Sequence, residues 1–174
     1  VPVWRDCLLD QCTPVAAFAK LRRGPFAFLL ESAPAGGETW ARYTYLGTEP
    51  RGAWRLRDGM VEDWTAELGW HAARTPDDPI ADLRNIIRDM RPVDARELGP
   101  FWSGAVGFFA YDVVRHIENL PHAPPRTMNY PDACFVFTKA LVVIDNWRGQ
   151  ARIIVSVPVP AGASEVQLAA LHAD

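Results

Sequence analysis

Two rhythms of apolar residues run along this chain, one near the helical period and one alternating, and Pro and Gly punctuate them. Val1 to Leu9 reads as a short strand or extended entry. Thr13-Pro14 starts a helix, with Thr as N-cap and Pro at the first helical position, and Gly24 stops it. Pro25 to Glu31 and Trp40 to Leu46 follow as strands around Gly36-Gly37. Asp58-Gly59 between Ala53–Arg57 and Met60–Trp64 predicts a hairpin on a type I′ turn, which needs positive φ at both central residues. Asp78-Pro79 opens a second helix whose buried stripe is Ile80, Leu83, Ile87 and Met90, and Pro92 ends it. Phe101 to Tyr111 reads as a buried strand and Tyr111 to Leu120 as a helix. Cys134 to Asp145 is one long β-branched run, turned by Arg148-Gly149 into a last hairpin, and Ser164 to Gln167 has capping-box spacing for a terminal helix. The order β-α-β-β-β-β-α-β-α-β-β-α, with short turns, predicts an α+β class: a predominantly antiparallel β-sheet with helices packed on it.

A length of 174 residues suits a single domain. Hydrophobic residues at 49% and charged ones at 22% exclude extended disorder. The net charge of −3 argues against a bulk nucleic-acid binder. No apolar run reaches transmembrane length, and the first residues lack the charged-then-apolar signal-peptide pattern, so neither membrane nor export is expected. Cys7, Cys12 and Cys134 match no zinc or redox spacing and read as thiols of a reducing, cytoplasmic environment. His71, His116, His122 and His172 are scattered, so no metal site is expected within this segment.

No catalytic constellation stands out. Asp77-Asp78 reads as a helix N-terminus, Asp94, Arg96 and Glu97 as solvated linker residues, and Asp112, Arg115 and Glu118 as surface ion pairs at helical spacing. The cluster worth singling out is Glu31-Ser32 with Trp40-Ala41-Arg42-Tyr43-Thr44. It brings a carboxylate, hydroxyls, a guanidinium and aromatic surface to two strand ends, which is what a free amino acid asks of a site. An ordinary polar turn would carry the same residues.

Leu29-Leu30-Glu31-Ser32, Ala41-Arg42-Tyr43-Thr44-Tyr45-Leu46-Gly47 and the run from Ser103 to Asp112 resemble the N-terminal domain of anthranilate synthase component I. Val1 to Arg5, Thr13 to Phe18 and Tyr130 to Ala133 are similar to that family too. The resemblance implies the N-terminal regulatory domain of a chain about three times as long. That chain turns chorismate into anthranilate and pyruvate with ammonia from a glutamine amidotransferase subunit, component II. The chorismate site and the Mg2+ it uses would lie in a C-terminal catalytic domain absent from this segment, leaving it no catalytic residues. The resemblance further implies feedback inhibition by tryptophan, with Glu31 toward the ammonium, Ser32 giving hydroxyl and backbone N–H, and Arg42, Tyr43 and Thr44 closing the slot. Thr44 stands where the family usually has Ser, and Ser103 where it usually has Gly. Aminodeoxychorismate synthase component I shares the fold and first chemical steps, and a stand-alone amino-acid-binding module is the reading from another class.

Overall fold

The computed structural model describes residues 1–9, 12–32, 42–122, 125–126, 128–160 and 162–164. Its elements in order are β1 (Pro2–Leu8), α1 (Pro14–Leu21), β2 (Phe28–Glu31), β3 (Tyr43–Thr48), β4 (Gly52–Arg57), β5 (Met60–Thr65), β6 (Gly69–Arg74), α2 (Pro79–Asp89), β7 (Ala105–Phe109), β8 (Ala133–Phe137), β9 (Ala140–Asp145) and β10 (Gln150–Ser156). Two 3-10 turns cover Arg96–Leu98 and Tyr111–His116. Every strand pair is antiparallel, so the α+β antiparallel class read from the sequence holds. The chain divides into two compact units, each built on one five-stranded sheet.

The first unit takes Val1–Pro50, Pro92–Ser103 and Thr138–Asp174 and holds the sheet β1-β10-β9-β3-β2. Helix α1 covers one face. Thr13 caps it by accepting from the Ala16 N–H at 3.2 Å, and Ala17 and Phe18 bury against Leu46, Ile144 and Ala151. The opposite face carries Leu141, Val143, Ile154, Tyr43 and Tyr45 under Ala95, Leu98, Phe101 and Trp102. Period-two alternation produces this split, since neighbours along a strand point to opposite faces.

The second unit takes Arg51–Arg91 and Gly104–Phe137 and holds β6-β5-β4-β8-β7. Asp58 and Gly59 adopt φ of 51° and 76°, the positive values that their hairpin turn requires. Asp78 caps α2 through the Ala81 N–H at 2.9 Å. Trp54, fully buried, packs with Leu56, Val61 and Leu83, and its indole N–H donates to Asp82 on α2 at 2.8 Å. Arg74 grips the same carboxylate with Nη2 at 2.7 Å and reaches Asp63 with Nη1 at 2.6 Å. One buried aromatic and one guanidinium thus fix the helix to the sheet.

Five details depart from the sequence reading. The stripe of α2 uses Ile86 where Ile87 was expected; Ile87 is 39% exposed, because Leu83, Ile86 and Met90 already fill the face that Trp54 presents. Residues 134–145 are two strands, since Thr138 and Lys139 break the run and hand the chain from β8 in one sheet to β9 in the other. The strand β6 was not foreseen, because Trp-His-Ala-Ala-Arg has no alternation and its pairing carries a register shift near Ala72, at φ 51°. Only 105–109 of the Phe101–Tyr111 stretch is strand, and as the sheet edge it leaves Phe108 and Phe109 about half exposed. Residues 111–116 form a 3-10 turn in place of a longer helix. The terminal helix beyond Ser164, Gly36-Gly37 and the start of the strand at Trp40 lie outside the described residues.

Gly107 marks a close backbone approach: a Cβ there would stand 2.0 Å from the Cys134 carbonyl oxygen and 2.7 Å from the Phe135 Cα. Gly107→Ala is therefore expected to destabilise the protein by about 3 kcal/mol, at the upper end for overpacking, read from the shift in urea unfolding midpoint. Burial pushes the Asp82 carboxyl up, but the hydrogen bonds from Arg74 and Trp54 outweigh it and hold it below the usual value. Its stabilising contribution is full above the unfolded pKa of about 4 and is lost as pH falls through the lower folded value. Asp82→Asn should accordingly be less stable than the parent at pH 7, and the gap should shrink as unfolding is repeated below about pH 4.

Candidate functional site

The five residues singled out from the sequence all sit at one end of the first sheet. β2 and β3 pair so that Glu31 stands opposite Thr44, and Ser32 and Tyr43 follow at the strand ends. The two motifs are thus adjacent, within about 7 Å along the strands at two residues' rise.

They do not, however, share one face. Thr44 and Leu46 point to the α1 side with Ile144, and Glu31, opposite Thr44, belongs to that side. Tyr43 points to the other side, with Val143 and Leu98. Arg42, just before β3, turns to this second side and meets Asp145, the residue paired with Tyr43. Glu31 and Ser32 are exposed on β2, the edge strand, while Thr44 is 1% exposed. Trp40 and Ala41 lie outside the described residues.

Thr44 is a structural residue before it is anything else. Its hydroxyl accepts from the Asn146 side-chain amide at 3.0 Å, and the Asn146 N–H donates to the Arg42 carbonyl at 2.8 Å. The turn between β9 and β10 is thereby stitched to the start of β3.

Arg42 and Tyr43 line a cleft of about 210 Å³, with Asp145, Arg152, Asp6 and Leu98 among its walls. That size is below the 300–1,000 Å³ typical of drug-sized ligands and suits something as small as an amino acid. Two ion pairs cross it. Arg42 donates from Nε at 3.1 Å and Nη2 at 2.7 Å to one oxygen of Asp145. Arg152 donates from Nε at 2.6 Å and Nη2 at 2.9 Å to Asp6, and from Nη1 at 2.7 Å to the Glu97 carbonyl. Burial pushes the Asp145 carboxyl up, yet Arg42 and the Trp147 N–H bring it down below the usual range. Asp6 is lowered chiefly by its hydrogen bond from Arg152. The cleft therefore presents alternating fixed charges, a lining suited to a zwitterion.

Sequence reasoning missed Asp145, Asn146, Asp6 and Arg152. They lie over a hundred residues from Arg42 or at the first strand, and only sheet pairing brings them in. Elsewhere the bland readings hold: Asp78 is a cap, Asp112 pairs with Arg115 at 2.8 Å, and Asp94 pairs with Arg96 with both side chains largely exposed. Cys7, Cys12 and Cys134 are free thiols, and burial pushes the Cys134 thiol up. Among the described residues no three His, Cys, Asp or Glu side chains converge as a metal-binding group, and no helix is long and apolar enough to cross a membrane.

The fold alone defines a class: in three dimensions the chain is similar to anthranilate synthase component I from Streptococcus pneumoniae TIGR4, with a TM-score of 0.56 at 22% identity over 96% of this chain and 35% of that one. The sequence narrows it. Anthranilate synthase component 1 of Aquifex aeolicus is 32% identical over 166 residues, 95% of this chain and 33% of the relative. That of Acetivibrio thermocellus is 30% identical over 176 residues, 98% of this chain and 34% of the relative. That of Arthrobacter globiformis is 34% identical over 157 residues. No family model matches the chain. The chain is similar in sequence to anthranilate synthase component I along almost all of its own length, and it spans about a third of the length of those relatives.

If the Thr44 hydroxyl serves the turn, its removal is a stability event. Thr44→Val, which keeps the shape, should lower stability by about 1 kcal/mol, the usual net worth of a hydrogen bond, and Tm by about 2–4 °C for a chain of this size; a thermal melt checks it.

Proposed function

We propose that this chain is the regulatory portion of an anthranilate synthase component I, and that it binds tryptophan as a feedback inhibitor at the ends of β2 and β3. The reading is supported by one observation above others: identity of 30–32% runs through 95–98% of the chain against two anthranilate synthase component 1 relatives. On this reading the remainder of the chain carries chorismate and its Mg2+, and a component II glutaminase delivers ammonia. The contribution of the described residues is binding and orientation alone.

On this reading a ligand at the strand ends is reached from both faces of the sheet: from the exposed end of β2 Glu31 offers an acceptor for its ammonium and Ser32 a hydroxyl and N–H, and from the cleft side Arg42 brings the guanidinium for its carboxylate. Tyr43 supplies aromatic surface in the cleft beside Arg42. Thr44 acts beneath them, through Asn146. The aminodeoxychorismate alternative differs in product, so an assay that resolves anthranilate from aminodeoxychorismate separates the two enzymes.

Ser32 tests the effector site. It is exposed at the end of the edge strand, so a large side chain there obstructs the strand end where the ligand is proposed to bind, with little effect on packing. In the full-length protein Ser32→Phe should weaken tryptophan inhibition about 10- to 150-fold, the equivalent of one hydrogen bond to a charged group. The melting temperature should stay within about 1 °C, as for surface substitutions. Unchanged inhibition in the folded variant would remove Ser32 from the site.

A further inference from the structure

We propose that Asp145 is a positioning residue of the effector site: by holding Nε and Nη2 of Arg42 it sets the guanidinium so that its remaining end meets the carboxylate of a bound amino acid. The inference rests on the effector reading given above and extends it to a residue more than a hundred positions away in sequence.

Three sets of contacts carry it. Asp145 is fixed independently of Arg42, because its second oxygen accepts the backbone N–H groups of Trp147 at 3.1 Å and Arg148 at 3.3 Å. Such a turn, closed by the side chain on its own backbone, makes Asp145 a rigid anchor. Arg42 is tied to that same turn at both ends: its carbonyl accepts the Asn146 N–H, and its guanidinium is held by the Asp145 carboxylate and lies 4.8 Å from the Tyr43 ring centroid and 5.6 Å from that of Trp147. The long side chain therefore has little rotamer freedom left to lose when a ligand arrives, which is what preorganisation supplies.

The other arginines of the cleft are placed differently. Arg152 uses Nε, Nη1 and Nη2 on Asp6 and the Glu97 carbonyl. Arg96 is 90% exposed on Asp94, and Arg148 is 69% exposed at the turn. The hydrogen bonds of Arg42 among the described residues occupy Nε and Nη2 on a single Asp145 oxygen. A guanidinium offers five donors in a rigid fork, so one held side-on can still receive a carboxylate at its other edge. An unpositioned surface ion pair, by contrast, would leave ligand binding indifferent to Asp145.

The test compares tryptophan with tryptophan amide, which lacks the carboxylate charge, by calorimetric titration of the full-length protein. Asp145→Asn keeps the oxygen that accepts the turn amides but removes the charge that holds Arg42. Asp145→Ser, too short to reach Arg42 yet able to cap the turn, guards against an artefact of one substitution. Both variants should bind tryptophan about tenfold more weakly and the amide as before. Arg42→Gln should show the same loss, and the Arg42→Gln/Asp145→Asn double variant no further loss, since both act through one contact. Equal weakening toward both ligands, additive losses, or unchanged tryptophan affinity would overturn the positioning role while leaving the effector site in place. A parent protein that binds neither ligand would overturn the effector reading itself, and this one with it.

Discussion

The register of β3 against β9 is the constraint on which the candidate site depends. It puts Tyr43 opposite Asp145 and Thr44 opposite Ile144, and so decides which side chains look into the cleft and which toward α1. A slip of one residue would exchange the faces. Thr44 and Leu46 would leave their apolar neighbours, Asp145 would turn away from Arg42, and the guanidinium would lose its carboxylate. The register is pinned from both sides, by burial of Leu46 and Ile144 with Ala17 on one face and of Val143 with Tyr45 on the other. The apolar core therefore carries the information that polar residues at the strand ends use.

Local chemistry in the sequence translated directly where a single residue type meets a single backbone demand. Thr13-Pro14, Asp78-Pro79 and Asp58-Gly59 each name a cap or turn, and each stands where its chemistry requires. The failures share a cause: tertiary context decided them. Nothing in Phe137-Thr138-Lys139-Ala140 marks it as the place where a strand ends in one sheet and another begins in the next. The Trp70–Arg74 strand forms because β5 offers an edge, not because its own pattern alternates. Phe108 and Phe109 look like core by composition, yet β7 has a partner on one side only.

The candidate site divides along the same line. Glu31, Ser32, Arg42, Tyr43 and Thr44 were legible because they lie in two short motifs that one family resemblance covers. Their separation onto two faces was not legible: Glu31 and Thr44 follow the strand alternation to the α1 side, while Arg42, just before β3, turns to the side of Tyr43. Nor were Asp145 and Asn146, which approach Arg42 and Thr44 only through a pairing of elements a hundred residues apart. Long-range antiparallel pairing is what a reading of one chain supplies least well.

The preponderance of arginine over lysine, which composition alone leaves as a bias without a role, acquires one in the structure. Arg42 contacts one carboxylate through two nitrogens, Arg74 bridges Asp63 and Asp82, and Arg152 joins Asp6 to the Glu97 carbonyl. In each case a planar fork with several donors spans two strands, a helix and a sheet, or a strand and a loop. An ammonium, a compact charge on a flexible stem with no planar fork, would hold such contacts less rigidly. The distinction matters most at Arg42. On the reading proposed above, one edge of that guanidinium is fixed by Asp145 and the other presents donors to the ligand, a division that a lysine, without a planar fork, would not hold in fixed geometry.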